Sequence, residues 1–89
     1  MKYKVLFTDR SKKQLKKLNK NISFFIIAWI EKNISDCTNP RVFGKALLAD
    51  KKGLWRYRIG DYRLICEIQD NNIIILILEI GHRKDIYKN

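Results

Sequence analysis

The sequence predicts an α+β domain of order βααβββ, with two helices on one face of a four-stranded sheet and a short C-terminal tail. Three patterns point there. Residues 9–34 carry apolar side chains at helical spacing, interrupted at Asn19–Asn21. Apolar and cationic residues alternate strictly on both sides of Gly60-Asp61, a two-residue hairpin signal. Ile73–Leu78 is apolar without a break, as a central strand buried on both faces should be.

Lys2–Phe7 reads as the first strand, with Tyr3, Val5 and Phe7 alternating against Lys2, Lys4 and Leu6. Thr8 or Asp9 is placed to cap the next helix, whose Leu15 and Leu18 face inward and whose Lys12, Lys13, Lys16, Lys17 and Lys20 face solvent. A second helix runs from about Ile22 to Ile34, with a buried stripe of Ile22, Phe25, Ile26, Trp29 and Ile30. Phe24 and Ile27 widen that stripe, which suggests packing on a sheet. Arg41–Gly53 has little period and reads as a basic loop carrying Lys45, Lys51 and Lys52.

In the hairpin, Ile59 pairs with Tyr62, Arg58 with Arg63, Tyr57 with Leu64 and Trp55 with Cys66. Trp55, Tyr57, Ile59, Tyr62, Leu64 and Cys66 then form a core face, and Arg56, Arg58 and Arg63 lie on the other. A three-residue turn at Asp70-Asn71-Asn72 pairs Gln69 with Ile73 and Arg63 with Glu79. That register sends Ile74, Leu76, Leu78 and Ile80 to the core and sets Glu79 beside the arginines, where it is not buried unpaired. The first strand covers the free edge of the last.

Residues 1–89 make one domain, and at 46% hydrophobic the chain can bury a small core. Cys37 and Cys66 form neither a disulfide framework nor a metal-ligand spacing, and Cys66 reads as a small buried hydrophobe. The N-terminal Met-Lys-Tyr-Lys-Val lacks a signal-peptide core, and no apolar run is long enough to cross a bilayer; the expectation is a cytoplasmic protein. A net charge of +10 makes nucleic acid the leading partner class. The cations are clustered, with eight in Lys2–Lys20 and six in Lys45–Arg63.

Like charges facing each other across a strand pair are destabilising, so their retention suggests use on an anion. Continuing the last strand past Gly81 brings Arg83 toward Arg56, Arg58, Arg63 and Glu79, with Tyr87 a helical turn on and His82 at the edge. Arginine presents a planar fork that matches phosphate and keeps its charge. The sequence has no paired carboxylates for two metals, no His or Cys ligand motif, no Ser-His-Asp set and no phosphate-binding glycine loop. A nuclease built from these residues needs no metal or cofactor, which favours RNA, whose 2′-hydroxyl can attack the adjacent phosphate.

The stretch LWRYRIGDYRLICEI, the apolar strand after it and the terminal GHRKDIY resemble the RelE branch of the RelE/ParE toxins of toxin–antitoxin systems. The resemblance implies a small microbial-ribonuclease-like fold. It also implies a toxin that enters the ribosomal A site and cleaves mRNA, leaving a 2′,3′-cyclic phosphate and a 5′-hydroxyl. Carried over, Arg63 neutralises the scissile phosphate, Arg83 stabilises or protonates the leaving 5′-oxygen, and Tyr87 orients or deprotonates the 2′-hydroxyl. Arg56 and Arg58 hold the phosphate, with Lys45, Lys51, Lys52 and His82 as further contacts. The implied partners are mRNA on the ribosome and an acidic antitoxin, in a toxin–antitoxin hetero-oligomer. Two other readings stay open on these residues: a ParE-like inhibitor of DNA gyrase, and a non-catalytic basic module binding rRNA or a partner protein.

Overall fold

The computed structural model describes residues 1–47 and 53–86. The strands are β1 (Lys4–Phe7), β2 (Lys45–Ala46), β3 (Leu54–Ile59), β4 (Tyr62–Gln69) and β5 (Ile74–His82). The helices are α1 (Asp9–Lys17), α2 (Lys20–Asn33) and a single turn, α3 (Arg83–Ile86). The sheet order is β1-β5-β4-β3-β2, with β1 parallel to β5 and the other pairs antiparallel. The α+β architecture and the helical hairpin on one face agree with the sequence reading. The sheet has five strands rather than four, because Lys45–Ala46 pairs with Arg56 and Trp55 inside the segment read as a loop.

Thr8 caps α1 by accepting a hydrogen bond from the Ser11 N–H at 3.1 Å, and Asn19 caps α2 in the same manner through the Asn21 N–H at 2.8 Å. The Ser23 hydroxyl donates to the Leu15 carbonyl at 2.7 Å, tying the two helices together. Ile26 and Ile30 of α2, with Ile34 just beyond it, bury their side chains against Tyr57, Ile59, Leu64, Cys66, Ile75, Ile77 and Ile80 of the sheet. Phe24 and Phe25, expected on the buried side, are 77% and 58% exposed. The stripe that α2 buries against the sheet is Ile26 and Ile30, which leaves Phe24 and Phe25 on the flank that faces solvent.

The hairpin register agrees with expectation, with Arg58 opposite Arg63 around Gly60-Asp61, and Gly60 takes the left-handed φ of +59° that the turn needs. The β4–β5 register does not. Gln69 pairs with Ile74 across a four-residue turn, and a bulge at Leu78 then shifts the pairing, so that Ile65 faces Glu79 and Arg63 faces Gly81. The core residues of β5 are therefore Ile75, Ile77 and Ile80, not Ile74, Leu76 and Leu78. An unbroken apolar run leaves strand parity open, and the bulge resolves it by turning Ile75, Ile77 and Ile80 inward while Glu79 stays out. The Thr8 hydroxyl lies within hydrogen-bonding distance of the Ile77 and Leu78 carbonyls at the bulge, at 3.2 and 3.3 Å. Beyond β1, the Gln14 side chain takes over the edge of β5 by accepting from the Ile80 N–H at 2.7 Å.

Ile73, not a residue of the expected Asp70-Asn71-Asn72 turn, occupies the left-handed region at φ 56°, and its carbonyl accepts the Lys4 N–H at 3.0 Å. The same corner holds a clasp: Arg41 donates to both Asp70 oxygens at 3.1 and 2.9 Å, and the Tyr3 hydroxyl donates to Asp70 Oδ1 at 2.7 Å. Arg41 first, then Tyr3, hold the Asp70 carboxyl below the ordinary carboxylate range. Because the folded value lies below the unfolded one, the clasp contributes fully above roughly pH 4. That contribution is lost as pH falls through the lowered folded value. Thermal melts of Asp70→Asn should show a flatter acid limb than the parent; parallel limbs would remove the clasp from the account of acid stability.

No helix is long and apolar enough to cross a membrane among the described residues. Burial pushes the Cys66 thiol up, in keeping with an inert core side chain.

Candidate functional site

The cations of the site come from three places in the chain that the sheet brings side by side. Strand alternation sends Arg56 and Arg58 to one face of β3 while Tyr57 and Ile59 enter the core. Hairpin pairing sets Arg63 opposite Arg58, and edge pairing sets Lys45 opposite Arg56. Two like-charged pairs thus lie two residues apart along one face of β3, one with β2 and one with β4. Glu79, expected among these cations, is instead held by Arg10 of α1 at 3.2 Å. Glu67 accepts a 2.6 Å bond from Gln69.

Lys45 depends on a glycine the sequence reading passed over. Gly44 has a φ of +84°, and a Cβ there would sit 2.2 Å from the Arg56 carbonyl oxygen. Only glycine lets the chain approach β3 so closely. Trp55 fixes the approach from the other side, donating its indole N–H to the Phe43 carbonyl at 2.7 Å. The Tyr57 hydroxyl donates to the Pro40 carbonyl, and Trp29 meets Phe43 edge-on at 5.8 Å. The start of the segment read as a basic loop is thus pinned through Phe43 and Gly44, with Pro40 held just before it. Its Gly-Lys pair after two apolar residues was the available signal, and it is a weak one.

Arg58 is exposed; Arg63 is not. The Arg63 side chain is 4% exposed and turns back on its own hairpin, with Nη1 donating to the Gly60 and Tyr62 carbonyls at 3.1 Å each. Among the described residues its Nε has no hydrogen-bond partner, and it has no solvent access. The face opposite the helices is therefore not open to solvent at Arg63, nor at Ile65 beside it, which is also buried. A guanidinium with a buried, unmatched donor is a cation held short of full satisfaction.

The tail begins at the same hairpin. The Arg83 N–H donates to the Asp61 carbonyl at 2.8 Å, extending the β4–β5 ladder by one rung to the hairpin tip. Arg83 is the first residue of α3 and is exposed. His82 pairs with Tyr62, whose ring meets the imidazole edge-on at 5.3 Å, and Nδ1 of His82 accepts the Lys84 N–H at 3.1 Å. This places His82 on the helix side, over a cleft of about 320 Å³ between α1 and the sheet end, rather than among the arginines. Lys51, Lys52 and Tyr87 lie outside the described residues.

Chemically, the arrangement offers fixed cations and backbone-anchored supports around a hairpin tip. It suits binding a polyanion and stabilising charge that develops on it.

A family model described as the ParE toxin of the type II toxin–antitoxin system matches residues 5–87. The chain is 33% identical to Toxin RelG of Mycobacterium tuberculosis over 88 residues, covering 99% of both chains. It is 29% identical to Toxin RelE of the same organism, covering 97% of this chain and 87% of that one. Among solved structures, it resembles one in the RelBE2 toxin–antitoxin complex of M. tuberculosis with a TM-score of 0.83 and 30% identity, covering 96% and 95% of the two chains. It also resembles one in the RelB–RelE antitoxin–toxin complex of Methanococcus jannaschii, with a TM-score of 0.69 and 26% identity over 93% and 95%. With a match across nearly its whole length, the chain belongs to the RelE/ParE family and is a toxin of a type II toxin–antitoxin system.

Proposed function

We infer that this toxin is a metal-independent endoribonuclease that cuts mRNA in the ribosomal A site of the cytoplasm and is silenced by an acidic antitoxin. The observation that carries the reading is the convergence of Arg58, Arg63 and Arg83 on the Gly60-Asp61 tip. The first two face each other across the hairpin, and the third is tied to its carbonyl. That tip presents donors to a phosphodiester, and the RNA supplies its own nucleophile. Lys45 and Arg56 extend the cationic strip along β3, and such a strip suits a polyanionic backbone. Tyr87, four residues after Arg83 in the sequence, is the group we assign to the 2′-hydroxyl. The antitoxin assignment draws on the relatives, several of which were solved as toxin–antitoxin complexes.

The test is to add the purified protein to a translating extract and map mRNA ends by primer extension. Codon-phased ends that depend on ribosomes support the reading. Intact mRNA combined with loss of gyrase supercoiling would transfer the protein to a ParE-type activity, and absence of both effects would leave a binding module.

A further inference from the structure

The tail that carries Arg83 leaves the sheet as α3, of which residues 83–86 are described. Helix nucleation is unfavourable, and a helix start depends on what satisfies its first N–H groups. Its direction is therefore set by whatever holds its first N–H groups, which have no partner within the helix. Two bonds do so. The Arg83 N–H is held by the Asp61 carbonyl at 2.8 Å, and the Lys84 N–H by Nδ1 of His82 at 3.1 Å. His82 stands immediately before α3 and accepts from its second residue, the bond that Ser, Thr, Asn or Asp makes at a helix start. Tyr62 packs edge-on against the imidazole, fixing the ring so that Nδ1 faces the amide.

We propose that His82 is a positioning residue, a helix cap that aims Arg83, and that it is neither a phosphate contact nor a proton donor in the reaction. An imidazole accepting at Nδ1 carries its proton on Nε2 and is uncharged; a doubly protonated ring has two donors and no acceptor, and cannot cap. The assignment rests on the cleavage reading only where activity is the readout.

Three substitutions separate the roles. His82→Asn keeps an acceptor without a cation and should cleave mRNA within about twofold of the parent. His82→Lys keeps a cation without an acceptor, and it should lose roughly 3- to 30-fold, as should His82→Ala. If His82→Lys cleaves normally while His82→Asn does not, His82 is a phosphate contact and the proposal is wrong. Loss in all three variants, or in none, also overturns it. A second measurement is independent of activity: long-range ¹H–¹⁵N spectra of the parent protein at neutral pH should show Nε2 protonated and Nδ1 bare. The Lys84 amide should also exchange with solvent faster in His82→Ala than in the parent or His82→Asn. The opposite tautomer, or unchanged exchange, overturns the proposal even if the protein never cuts mRNA.

Discussion

Arg83→Ala should leave the protein folded and lower ribosome-dependent mRNA cleavage by roughly 10²–10³-fold, the usual effect of removing one preorganised donor from a developing oxyanion. The two halves of this expectation come from separate atoms. The backbone N–H of Arg83 makes the bond to Asp61 that anchors the tail, and alanine keeps it. The guanidinium is exposed, so its removal should change stability by no more than about 0.5 kcal/mol. Arg83→Lys should recover only part of the activity, since an ammonium lacks the two-pronged fork that matches phosphate. Primer extension on a translating extract and a thermal melt on the same preparations check both halves. Full cleavage by Arg83→Ala would remove the Arg83 guanidinium from the mechanism.

Arg63→Ala should fail in both assays, and the contrast with Arg58→Ala identifies why. Arg63 serves two turn carbonyls from a buried position, so truncation leaves Gly60 and Tyr62 short of a donor and opens a void. A loss of roughly 0.5–1.5 kcal/mol per hydrogen bond is expected, because solvent reaches the turn carbonyls. Arg63→Met should regain part of that stability, because the buried Nε that now lacks a partner disappears with the charge. It should regain no cleavage. Arg58 lies directly opposite with its side chain exposed, and removing it relieves a like-charge pair. Arg58→Ala should therefore melt at or slightly above the parent temperature while cleaving less mRNA. On the cleavage reading, Arg63 exchanges its carbonyl partners for phosphate oxygens when RNA binds, and charged acceptors bind a guanidinium more strongly than carbonyls do. If Arg63→Met cleaves normally, Arg63 is only a brace for the hairpin.

The hairpin was legible because two signals agreed on it: a turn pair that accepts positive φ, and alternation that separates Tyr57, Ile59, Leu64 and Cys66 from the arginines. The next strand offered no such agreement. Ile73–Leu78 is apolar at every position, so both parities bury the same kind of side chain and hydrophobicity cannot choose between them. The bulge at Leu78, which Thr8 contacts, and the partnering of Glu79 by Arg10 settle it, and both contacts come from more than sixty residues earlier in the chain. Phe24 and Phe25 misled for a related reason: helical spacing identifies an apolar flank but not whether a sheet reaches far enough to cover it.

Alternation, turn chemistry and charge clustering are local properties, and from them the sequence alone determined the α+β order, the hairpin register and the cationic character of the site. Where those cations point was decided only in the folded molecule. Arg63 turned inward because turn carbonyls lay within its reach, Arg58 stayed out, Lys45 joined the strip through a glycine contact, and His82 left the phosphate side to cap the tail. Each of these is a competition among partners that exist only after distant segments have packed, so no reading of neighbouring residues could have ranked them.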